Sequence, residues 1–189
     1  MNIREMIAAV RDDYVEQLRD FITAERLRYS DVFAERRVEA PNSKMFARAY
    51  VADVSFGDPV TRMSDLVPRP RAGKLPPVTL NTPGIAITFD ELWWHDVRIE
   101  HDGSYDGRSI SLWFDRWFPR ADPARAREHD GAGLIHSVTV DEKWITVDFG
   151  SAAIGALFEL LTVTQRCGAK TAWVSAGTTE PGVRAASGN

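Results

Sequence analysis

The stretch Leu134 to Val174 reads LIHSVTVDEKWITVDFGSAAIGALFELLTVTQRCGAKTAWV, and it holds two different hydrophobic periods side by side. Leu134 to Val140 and Trp144 to Phe149 are short runs rich in β-branched residues on either side of Asp141-Glu142-Lys143, the pattern of a hairpin. After Gly150-Ser151, apolar residues recur at three- and four-residue steps through Ala153, Ile154, Leu157, Phe158, Leu160, Leu161 and Val163, which is a helical period. That helix should stop near Cys167, where Gly168 can supply the left-handed residue of a C-cap. Thr171-Ala172-Trp173-Val174 then reads as a final strand. Strand, helix, strand permits one parallel crossover, which would be right-handed. Hairpins and helices in one stretch set the class as α+β.

Working outward, Ile85 to Phe89, Val97 to Glu100 and Ile110 to Phe114 are further strand candidates. The last two are separated by a loop with two Asp-Gly pairs, Asp102-Gly103 and Asp106-Gly107, a hairpin signal. Together with the downstream hairpin they predict a mainly antiparallel meander. At the amino end, Ile3, Met6, Ile7, Val10, Tyr14, Leu18, Phe21 and Ile22 form one stripe, while Arg11, Asp12, Asp13, Glu16, Arg19 and Asp20 fill the other face, so an amphipathic helix is expected from about Ile3 to Leu27. Ser30-Asp31 would cap a second short helix, or continue the first with a kink, ending by about Ala40 before Pro41. Ser43 to Phe56 reads as a helix turning into a strand. Between Gly57 and Gly84, six prolines occur with Arg62, Arg69, Arg71 and Lys74 and neither period survives, which predicts a Pro-rich loop over about 57–84. A Gly-, Thr- and Ser-rich tail after about 176 is expected to fray. The 189 residues read as a single α+β domain.

Composition mainly excludes. With 23 Lys and Arg against 27 Asp and Glu the formal charge is −4, which disfavours nucleic acid and anionic membranes, both of which need phosphate to be neutralised. No apolar run reaches the roughly 18 residues of a membrane span. One cysteine, Cys167, cannot make an internal disulfide and suits a reducing compartment, and the start Met1-Asn2-Ile3-Arg4-Glu5 lacks a signal peptide's basic and apolar regions. The expectation is a soluble, cytoplasmic protein.

Three of the four histidines precede aspartate: His95-Asp96, His101-Asp102 and His129-Asp130, with the last two embedded in identical Glu-His-Asp-Gly strings at 100–103 and 128–131. His136 follows close behind. The plain interpretation is turn chemistry, in which Asp bonds its own backbone and Gly takes positive φ; His101 and His129 should then be exposed and titrate near 6.5. The chemical interpretation is a metal-dependent hydrolase or related enzyme built on His95, His101, Asp102, His129 and Asp130, since imidazole and carboxylate are the usual zinc and iron ligands. No spacing matches HExxH. Asp102, Ser104, Asp106 and Gly107 match the first half of a calcium loop, but position twelve is Trp113 in place of glutamate and no flanking helices are expected. No metal is favoured and no cofactor is expected. Nucleophile elbows and phosphate loops are absent.

Trp93, Trp94, Trp113, Phe114, Trp117 and Phe118 are the other unusual group. Adjacent aromatics on an extended segment point to opposite faces, so part of the group should reach a solvent face rimmed by Asp90, Glu91, Asp96, Asp115 and Arg116, the composition of an interaction hot spot. The leading expectation is therefore a non-enzymatic cytosolic binding protein using an aromatic and acidic sheet face, with Trp93, Trp94, Asp96, Asp115 and Trp117 meeting a protein partner; a homodimer is compatible with this. Small size, acidity and a Trp-rich sheet resemble, in texture alone, bacterial toxin-neutralising immunity proteins, and no residues carry over.

Overall fold

The computed structural model describes residues 2–69, 77–118 and 133–177. Helix α1 spans Ile3–Arg28, one residue beyond the expected end, and opens on a capping box: Asn2 accepts from the Glu5 N–H while Glu5 accepts from that of Asn2, both at 2.9 Å. Its apolar stripe, Met6, Ile7, Val10, Tyr14, Val15, Leu18 and Ile22, is buried.

The first departure from expectation follows at once. Val32–Glu39 is strand β1, where a second helix or a continuation of the first was expected. Tyr29 is already extended, with φ −137 and ψ 145, and β1 pairs antiparallel with β2 (Ala49–Phe56) over seven residue pairs. Tertiary pairing thus overrides the weak local helical signal. Phe46–Arg48 makes only a short turn before β2, with Ala47 and Arg48 at φ +56 and +51, so of the helix-to-strand reading of 43–56 the strand is found and the helix is not. The segment read as a Pro-rich loop contains β3 (Arg62–Ser64), the third strand of this small sheet, and β4 (Val78–Thr82); residues 70–76 within it lie outside the described residues.

The larger sheet has the order β4-β5-β9-β6-β8-β7, with β5 at Ile85–Phe89, β6 at Val97–His101, β7 at Ser137–Val140, β8 at Trp144–Asp148 and β9 at Thr171–Ala176. The β7–β8 hairpin forms as read, from Ser137 opposite Asp148 to Val140 opposite Ile145. The other hairpin is β4–β5; β5 and β6 do not pair, because β9 lies between them, parallel to β5 and antiparallel to β6. Since β6 is antiparallel to both β8 and β9, those two run parallel, and helix α3 (Gly155–Arg166) is the crossover that joins them. Gly168 sits just beyond it at φ +86.

The second departure is at Ile110 to Phe114, which is not a strand but part of helix α2 (Gly107–Trp117). Asp106 caps it by accepting from the Ser109 N–H at 2.7 Å. Ile110, Trp113, Phe114 and Trp117 recur at three and four residues, and a short apolar run does not distinguish the two periods by itself. The apparent calcium loop is thus the entry to a helix, with Asp106 used as its cap. One core joins the stripe of α1, the inner residues of β2, the Val97 and Ile99 face of β6 and the underside of α3, where Leu157 and Leu160 are fully buried. Leu161 is buried too, while Ile154 and Phe158 are only half-buried against that core.

Candidate functional site

Strand β2 is buried at seven of its eight positions, so nearly every side chain on it should be apolar, yet it carries Asp53. Ala34 pairs with Val54 and Arg36 with Ala52, which sets Glu35 of β1 directly opposite Asp53. Two carboxylates facing each other across strands repel. Here the repulsion is answered by His136, which precedes β7 in the other sheet. Its Nε2 lies 2.9 Å from Glu35 Oε1 and its Nδ1 2.9 Å from Asp53 Oδ1. The first contact is an aligned hydrogen bond; the second lies off the N–H axis and is an ion pair only. Asp148 Oδ2, at the end of β8, is 4.0 Å from the same Nδ1.

The main chain repeats the connection: the Val51 N–H donates to the His136 carbonyl at 2.7 Å, and the His136 N–H to that of Asp148 at 2.8 Å. His136 is therefore the joint between the two sheets. Local geometry is adapted to it. Glu35 takes φ +46, a left-handed conformation that costs a non-glycine residue about 1–3 kcal/mol. Gly150 takes φ +46 beside the imidazole, and a Cβ there would run into the ring.

Electrostatics follow from burial and charge. Burial alone would push His136 down, but Asp53 and Glu35 outweigh it and hold the imidazole well above its ordinary value, so it is cationic at neutral pH. Asp148 is pushed up to about 7 by burial, with Asp53 adding and the His136 cation opposing. Its side chain is 27% exposed, against 2% for His136 and 0% for Glu35, so it is the member of the group nearest solvent. Asp65 is raised by burial and by Asp53, to whose N–H it is bonded at 3.3 Å. Tyr14 from α1 is raised by burial and by the same carboxylates, Asp148 first, and its ring stacks on His95 with centroids 5.6 Å apart.

Each ring nitrogen of His136 faces a carboxylate, so the imidazole bridges acids instead of pointing with them at a common centre. Accordingly, among the described residues no group of three or more His, Cys, Asp or Glu side chains is arranged to hold a metal ion. What the arrangement can do is hold one buried positive charge between two sheets and keep one carboxyl poised near neutrality at its edge.

The sequence-derived candidates are dispersed. His95 lies before β6, against Tyr14 and Trp93, and His101 ends that strand, beyond about 13 Å of extended chain. Contrary to expectation, His101 is only 7% exposed; it packs edge-on to Tyr105, neither ring nitrogen finds a hydrogen bond, and burial followed by Lys143 lowers its pKa. Asp102 does serve a backbone role, but a distant one: its Oδ1 accepts from the Lys170 and Thr171 N–H groups at 2.8 and 3.0 Å and fixes the start of β9. Gly103 belongs to that joint, since a Cβ there would fall 2.7 Å from the Ala169 nitrogen. His129 and Asp130 lie outside the described residues.

The aromatic candidates also separate. Trp94 is 1% exposed, donates to the Gly150 carbonyl at 3.0 Å and packs on Phe149, so it is interior and not available to a partner. Asp115 and Trp117 sit on α2 and not on a sheet face. Asp115 is exposed, and Trp93, Asp96 and Trp117 are half-buried.

A histidine raised on folding stabilises fully below 6.5 and loses that contribution as pH rises through its folded pKa; Asp148, also raised, loses its contribution between about 4 and 7. His95 and His101 are lowered on folding and act oppositely, destabilising as pH falls below 6.5. Between pH 7 and 9 the His136 contribution stands nearly alone. Tm should fall by several degrees over that window in the wild type and stay flat in His136→Gln; a flat wild-type profile would show that the imidazole carries no charge. No protein-family model, curated protein or solved structure matches the chain.

Proposed function

We propose that this chain is a binding protein without enzymatic activity, acting in the cytoplasm on a protein partner in the manner of a bacterial toxin-neutralising protein. One observation carries the reading. Trp93 and Trp117 are half-buried at the surface, and each has its indole N–H held by a neighbouring carboxylate, Glu91 Oε1 at 3.0 Å and Glu159 Oε2 at 2.9 Å. An indole fixed in one orientation loses little entropy on docking, and Trp dominates interface energetics. The carboxylates at these indoles, Glu91 with Asp96 near Trp93 and Glu159 at Trp117, favour a basic partner surface, in keeping with the charge of −4, while Asp115, two residues before Trp117 on α2, faces another side of that helix.

The test begins with a photo-crosslinking residue in place of Trp93 or Trp117 in cells, followed by purification of the captured protein and titration. Trp93→Ala and Trp117→Ala should each cost about 2 kcal/mol or more, roughly thirtyfold in Kd, with the circular dichroism of the folded chain unchanged at the temperature of the titration. Equal affinity of both variants and wild type would refute the reading.

A second reading rests on Asp148, a carboxyl near neutrality beside a buried imidazolium, as proton-transfer groups are. Asp148→Asn leaves partner binding intact on the first reading and removes turnover on the second.

A further inference from the structure

An open sheet must do something with its outer strands, because each presents unpaired N–H and C=O groups. Among the described residues four strands occupy such positions, and three are guarded. Strand β1 carries Glu35, Arg36, Arg37 and Glu39 and is bent by the left-handed Glu35. Strand β3 has three residues, one of them Arg62 stacked on Phe56 and Tyr29. Strand β7 lies against β2, joined there by the bond from Val51 to His136.

Strand β4 is different. Val78-Thr79-Leu80-Asn81-Thr82 has no charge, no bulge and an unbroken register with β5, from Val78 opposite Phe89 to Thr82 opposite Ile85. Val78 and Leu80 continue the buried row of Phe89 and Ile87 outward and are left half-exposed at its end, while Thr79 and Asn81 are exposed on the other face. Pro77 and Pro83 bound the strand, three residues either side of Leu80. Proline cannot donate to a ladder, so the two prolines limit any added strand to the five residues between them.

We propose that β4 is a dimerisation edge, on which a second copy of this chain adds its own β4 antiparallel about a two-fold axis at Leu80. The proline boundaries coincide only in that register, which sets Leu80 opposite its own copy, Val78 opposite Thr82 and Thr79 opposite Asn81. An isologous contact of this kind requires a self-complementary edge, and an uncharged one brings no like charges together. It closes the apolar row at Val78 and Leu80 and satisfies the free backbone groups of both copies.

Sedimentation of the purified full chain at roughly 100 µM should give a mass of about 42 kDa, twice 21.2 kDa. The Thr79→Lys/Asn81→Lys variant places lysines opposite lysines on an exposed face and should sediment at the monomer mass with its circular dichroism unchanged. Thr79→Asp/Asn81→Asp should behave alike, and an equimolar mixture of the two should recover the dimer mass. A monomeric wild type, a lysine variant as dimeric as the wild type, or a mixture that stays monomeric overturns the assignment.

Discussion

His136→Ala should lower stability by about 3–5 kcal/mol, because it leaves Glu35 and Asp53 facing one another in the interior without the imidazolium that bridges them. For a chain of this size that amounts to a Tm lower by roughly 6–20 °C. The buried charge, and not the ring's bulk, is the source of the effect. Removing all three charges together, in His136→Leu/Glu35→Gln/Asp53→Asn, should therefore recover a large part of the loss, since replacing a whole buried ion cluster with neutral groups is often tolerated where breaking it is not. Chemical denaturation of the two variants decides the matter. A loss under about 1 kcal/mol in the alanine variant would mean that solvent reaches the cluster and screens it.

Leu157→Ala, in the middle of α3, should cost about 2–5 kcal/mol. The side chain is fully buried in the common core, flanked along the helix by Ala156, Leu160 and Leu161. Rigid neighbours on both sides limit collapse into the vacated volume, which places the value toward the upper end of the range. Phe158→Ala, one residue on, should cost less, because Phe158 is only half-buried and carries Arg4 across its ring at 5.5 Å. Equal losses at the two positions would show that α3 is rotated about its axis from the orientation described.

Those two helical positions also show how far the sequence was legible. Where an apolar stripe is long and bounded by its own cap, as in α1 with Asn2 and Glu5 or α3 with Gly168, local period and tertiary burial agree and the reading holds. Where the run is short, the two periods are degenerate. Ile110, Trp113 and Phe114 suit a helix face as well as a strand, and the Asp106 to Ser109 cap that decides between them resembled hairpin chemistry. Residues 32–39 carry charges and apolar groups in an order that only the pairing with β2 resolves.

The buried site was less visible still. Glu35 and His136 are 101 residues apart in sequence; Glu35 stands in a segment that reads as helical, and His136 stands out only as following the His-Asp pairs. The signal that was present is Asp53, an acid inside Ala-Tyr-Val-Ala-Asp-Val-Ser-Phe, a run too apolar on both faces to leave it in water. The histidines that attracted notice did so by repetition of neighbours, and repetition carries no information about distance in the fold.

The position of β9 has a consequence for how the chain is made. Among the described residues it is the last strand in sequence, yet it lies between β5 and β6, so the interior of the large sheet has a gap until residues 171–176 have left the ribosome. The hairpins β4–β5 and β7–β8 can form from neighbouring residues as they emerge, whereas the two halves they belong to must wait, apolar edges open, for a strand encoded some seventy residues after β6. Closing so long a loop is slow, and the waiting species exposes the strands most prone to wrong pairing. Asp102, already in place at the end of β6 with its carboxylate turned toward the Lys170 and Thr171 amides, is the latch that receives the late strand.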